Sequence, residues 1–171
     1  RDSYRTKEVQ IQRNERALAI DVLSRERQDR TRQRDVLLAD SERLRTLLAQ
    51  LRSKLSTLDG RAFAAAKGRL PAPIIGRIRH SFGKPRADTN LSWQGVDLAA
   101  DVGDTVSAVF RGRVVFSDWL RGFGLIAIVD HGGGYMTLYG HADALLKSAG
   151  DWVESGEPIA EAGDSLSLIH I

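Results

Sequence analysis

The sequence predicts an α+β protein, a long N-terminal helix or coiled-coil arm followed by an all-β antiparallel domain. Three observations carry that expectation. The first 58 residues hold no proline and no glycine and are rich in Arg, Glu, Gln, Leu and Ala, the composition of an uninterrupted helix. From Ile74 onward, glycines punctuate short β-branched and aromatic runs, as in tightly turned antiparallel strands. Between the two, Leu70-Pro71-Ala72-Pro73 forces an extended linker. The expected division is an arm over 1–68, a β domain over 69–165 and a short tail over 166–171.

Within the arm, Ile20 and Leu23 open an apolar seam, but residues 24–35 contain no apolar side chain. A helix that is polar all round cannot bury a face, so this part is expected to be solvated or loosely paired in a coiled coil. Leu37, Leu44, Leu48, Leu51, Leu55 and Leu58 then follow heptad spacing, broken at Ser41. Leu47 widens the stripe toward that of a helix lying in a groove. Five arginines ahead of spaced leucines imitate a basic-zipper DNA-binding helix. Glu26, Asp29 and Asp35 would meet phosphate with the wrong sign, and the Asn and small residues that read bases are missing from 24–35. No nucleic-acid partner is expected. Asp59-Gly60 ends the helix, and residues 61–68 add one more turn.

Strands are expected at 77–82, 96–99, 105–108, 112–119, 125–130, 135–139 and 158–162. Residues 112–119 and 125–130 read as a hairpin across Leu120-Arg121-Gly122-Phe123-Gly124. Both its faces are largely apolar, which predicts a central place in the sheet. A chain of 171 residues has room for one such domain of about 90 residues with a sufficient core. With no cysteine, neither a disulfide framework nor a thiolate metal site can form. No apolar run approaches the length of a membrane span. The chain opens at Arg1 already inside a helical pattern, so a signal peptide is expected upstream of it.

The chemistry concentrates between Trp93 and His141, where Asp97, His131 and His141 are candidate metal ligands. No GxSxG elbow, P-loop or cysteine nucleophile competes. Trp93-Gln94-Gly95-Val96-Asp97, a glycine-rich hairpin and Tyr139-Gly140-His141 together resemble the LytM-type (M23) zinc peptidase domain. That family reads HxGxD, hairpin, YxH and a late HxH. The blocks DVGDTVSA, GRVVFSDW and VESGEPIAEAG extend the resemblance over about 74–163. Trp93 stands where the first metal ligand would be. A zinc site needs three N, O or S donors plus water, and an indole has no lone pair to give. His80 and His131 are read as surface or turn histidines.

This departure resembles the degenerate branch of the family, the EnvC-type murein hydrolase activators, as does the lead-in FAAAKGRLPAPIIGRI. The resemblance implies a protein that does not cut peptidoglycan but switches on an N-acetylmuramoyl-L-alanine amidase during cell division. It implies no cofactor, a vestigial metal ligand in Asp97 and a vestigial catalytic residue in His141. A concave surface of Trp93, Gln94, Asp97, Phe123, Tyr139 and His141 would receive the amidase. A restraining helix over about 37–58 would gate it through Leu44, Leu47, Leu48, Leu51 and Leu55. A membrane ABC-transporter-like complex of the divisome would pull on the coiled coil, in the periplasm of a Gram-negative bacterium. The alternative is an active zinc endopeptidase with an unusual ligand set. The family would continue after Ser165 with a final strand. Residues 166–171 instead match the translated end of a transposon adaptor, so they are expected to be non-native and to leave a sheet edge open.

Overall fold

The computed structural model describes the backbone of residues 2–54, 60–87 and 89–170, and the side chains of 10, 12–51, 60–87 and 89–164. Helix α1 spans Asp2–Lys54 and the short α2 spans Arg61–Ala65. Eight strands follow: β1 Ile78–His80, β2 Val96–Ala99, β3 Thr105–Ser107, β4 Gly112–Leu120, β5 Gly124–Gly132, β6 Tyr135–Leu145, β7 Trp152–Val153 and β8 Pro158–His170. They form one sheet in the order β1-β2-β8-β6-β5-β4-β7, with β3 paired to β8 off this path. All described pairings are antiparallel. The α+β architecture is the one the sequence predicts.

The two apolar faces of the central hairpin have separate causes. Val114, Ala127 and Val129 face a core shared with Val106, Val109 and Ile159. Ile126 and Ile128 face the other way, with Met136 and Leu138 of β6, and α1 covers them with Leu44 and Leu48. Leu47 and Leu51 are partly buried against the same cluster. Leu55 and Leu58 lie outside the described residues. The leucine stripe is therefore wide because a helix on a sheet needs a broad apolar face. Upstream, Leu18, Ile20 and Leu23 are exposed. There the helix surface carries i,i+4 ion pairs such as Arg25–Asp21 and Arg30–Glu26, both 2.7 Å.

Three expectations need correcting. Of the hairpin's two strands, β5 is paired with a long strand on each side, whereas β4 pairs on its outer side with the two-residue β7 at Gly112 and Arg113 alone, leaving Asp118 and Trp119 exposed beyond it. His131 is not a turn residue: it sits in β5, 4% exposed. Its Nδ1 faces the Arg111 carbonyl and its Nε2 the Thr137 hydroxyl, each at 2.8 Å, and its ring stacks on Phe63 of α2 at 4.4 Å. That stack, with Gly60 pressed against the Gly132 carbonyl, pins α2, ahead of the β domain, to the β5–β6 turn. Lastly, β6 and β8 run far past their expected ends. The backbone of 166–170 continues β8, with Leu168 opposite both Val96 and Tyr139. Backbone pairing is blind to side-chain identity, and the position that would have been an open edge is filled.

Candidate functional site

The connection between β1 and β2 folds back as a narrow hairpin that presents Trp93. Trp93 exchanges backbone hydrogen bonds with it: its N–H donates to the Lys84 carbonyl and its carbonyl accepts from the Gly83 N–H, both 2.8 Å. The indole is held from two directions. The His80 ring stacks on it at 4.2 Å with planes 14° apart, and the Arg86 guanidinium lies over it at 4.1 Å. A cation over an indole face contributes about 0.5–1 kcal/mol at a partly exposed site. His80 stands opposite Asp97 across an irregular β1–β2 register. Its Nδ1 is 2.9 Å from Asp97 Oδ2, and Asp97 is buried at 8% exposure.

Beside this cluster runs a groove of about 1020 Å³. One wall is α1, with Leu37, Asp40, Leu44 and Leu48. The other is the β domain, with Trp93, Gln94, Asp97, Phe123 and His141. Phe123 and His141 are joined, because the His141 N–H donates to the Phe123 carbonyl at 2.8 Å. His141 sits at φ +62, a left-handed conformation rare for a non-glycine residue. It holds that backbone where β6 and β8 fall out of register between Gly140 and Ala142. Arg45 and Arg86 add positive charge to the lining, which the sequence motifs did not indicate.

Residues 91–168 match peptidase family M23. Murein hydrolase activator EnvC of Escherichia coli K12 is 40% identical over 101 residues, 59% of this chain and 24% of that protein. Murein hydrolase activator NlpD of the same strain is 31% identical over 94 residues, 54% of this chain and 24% of that protein. The fold matches a zinc-containing peptidase of Vibrio cholerae with a TM-score of 0.54 at 24% identity, covering 58% of this chain and 35% of that one. The chain thus spans about a quarter of the length of these curated relatives.

The M23 fold raises the question of zinc, and the residues present do not fit it. Trp93 supplies no lone pair. Asp97 Oδ2 is directed at His80. Among the described residues, no three His, Cys, Asp or Glu side chains gather as a metal would require. Of the six residues expected in the groove, five line it; Tyr139 does not. It is fully buried in the core, and its Oη accepts the Val109 N–H at 3.0 Å. Burial pushes its phenol above the ordinary 10.0, against the opposing hydrogen bonds from Thr137 and Val109. The reason is strand parity. Tyr139 and His141 are two apart and would share a face in a regular strand, but the left-handed backbone at His141 turns its side chain away. His80 is the neighbour of Asp97 that the sequence reading left as a surface histidine. Its place opposite Asp97 depends on the β1–β2 irregularity, which leaves no mark in the residue spacing.

Proposed function

We propose that this chain is a non-catalytic activator of a peptidoglycan amidase, working through a metal-free M23 groove gated by its own helix. The single observation that carries this is the position of Leu44 and Leu48. They are buried on the sheet beside a groove whose first ligand position is an indole. A pocket with Trp93 and Phe123 among a few polar groups suits a protein-binding hot spot. An amphipathic helix already lying along it indicates the shape of the ligand, another helix laid in by its apolar face. The similarity to the murein hydrolase activators EnvC and NlpD supports a role in activating murein hydrolases.

In this reading α1 and the partner helix compete for one surface. The closed state is the ground state, and the amidase engages the fraction of molecules whose arm has left the groove. The amidase supplies the zinc and the bond cleavage; this chain supplies only the docking surface. The exposed upstream part of α1, with Leu18, Ile20 and Leu23 on its surface, is the lever on which a divisome membrane complex acts. No helix among the described residues is long and apolar enough to cross a membrane, and the proposed compartment is the periplasm.

The test pairs metal analysis with activity. The purified chain is expected to carry no stoichiometric zinc and to release nothing from peptidoglycan by itself. With its cognate zinc amidase it should raise cleavage, and more so when Leu44→Glu and Leu48→Glu expel the arm. Bound zinc together with unaided cleavage would establish the endopeptidase instead.

A further inference from the structure

Gly122 lies in the β4–β5 loop at φ +87, facing α1. A Cβ placed there would fall 2.4 Å from both Cγ and Oδ2 of Asp40 and 2.7 Å from its Cβ. The Asp40 side chain therefore occupies the space that any other residue at 122 would need. Asp40 is itself buried at 8% exposure. Taking a carboxylate out of water is costly unless it is paired. The arm provides the partner from its own next turn, Arg43 Nη1 donating to Asp40 Oδ1 at 2.6 Å. Leu44 and Leu48, four and eight residues on, then enter the apolar cluster.

We propose that Gly122 is the specificity-determining residue of the groove. It admits a helix that presents a short carboxylate to the β4–β5 loop, with an arginine at i+3 and leucines at i+4 and i+8. Asp40, Arg43, Leu44 and Leu48 are the copy this chain carries, and the partner helix bears the same Asp-x-x-Arg-Leu-x-x-x-Leu spacing. This deepens the reading of the groove as a helix-receiving surface and rests on it. Side chains longer than aspartate collide with the loop, and an uncharged residue forfeits the ion pair that pre-shapes the helix. Discrimination therefore operates at the step where a helix seats, not in any chemistry of the site.

The probe is a fluorescent peptide of residues 36–53, titrated by anisotropy into the full chain with Leu44→Glu and Leu48→Glu to free the groove. The parent peptide is expected to bind, the Asp40→Asn peptide about threefold more weakly and the Asp40→Leu peptide about tenfold more weakly. Gly122→Ala in the protein should weaken the parent peptide about tenfold, and an Asp40→Gly peptide, which vacates the collision, should recover most of that loss. The recovery separates a steric effect from misfolding of the Gly122→Ala protein. If the parent binds and all peptides bind alike, the specificity proposal fails while the groove reading stands. If the parent peptide does not bind the freed groove, both fail.

Discussion

Tyr139 Oη accepts the buried Val109 N–H, so removing the hydroxyl leaves a donor without a partner in the core. Such an orphan costs about 1–3 kcal/mol, and Tyr139→Phe should lower stability by that much in urea titrations while leaving partner binding unchanged. A role in the docking surface would give the opposite pattern. The same phenol sets a pH dependence. Its folded pKa is raised above 10.0 by burial, so the folded state holds the proton more tightly than the unfolded chain. The stability this confers is fully present below pH 10 and is lost as pH rises through the folded value. Urea midpoints followed from about pH 8 to 11 should fall for the native chain and stay flatter for Tyr139→Phe. Asp97 and His141 were legible because they match the motif that the sequence resembles, and Trp93 because it breaks that motif at its first position. His80 and Gly122 were not. One depends on an irregular strand register, the other on how closely a helix approaches a loop.

The arm was legible as an element because its leucine stripe has a period, and its width pointed to a groove rather than to a second helix alone. What the period cannot encode is which face of which strand receives it; the apolar outer face of Ile126 and Ile128 supplies that answer. Leu48 is 7% exposed within this contact. Leu48→Ala should therefore weaken arm docking by about 2–5 kcal/mol. The predicted signature is local. Hydrogen exchange should accelerate over α1 residues 37–51, while amides of β5 and β6 keep their protection. Matching acceleration in β5 would mean that the arm is part of the domain core and does not detach as a unit. The same geometry explains why β4 reads from its sequence as central although β7 covers only Gly112 and Arg113 on its outer side. Its apolar residues answer to the covering helix on one side and the inner core on the other, and neither contact requires a neighbouring strand along its outer edge.

At the scale of the whole molecule, β8 is the element that holds the two halves of the site together. It lies between β2 and β6 in the sheet. Residues 158–162 pair with β3 and the end of β6, whereas 165–170 pair with β2 and the start of β6. The β1–β2 unit carries His80, Asp97 and, in its connection, Trp93. It reaches the rest of the sheet through that second segment. Phe123 and His141 stand on the far side of the join, so the strand pairing between the two sides of the groove runs through 165–170. Ending the chain after Ser165 should leave β3, β5 and the inner core paired but unseat β1–β2, exposing strand edges of β2 and β6 that favour association. The expected result is a protein that retains strand content by circular dichroism, elutes as oligomers and loses exchange protection in β1 and β2, while α1 residues 37–51 stay docked on β5 and β6. A shortened chain that stays monomeric with β1 and β2 protected would show that the β1–β2 unit is held by side-chain packing and not by the strand between the halves.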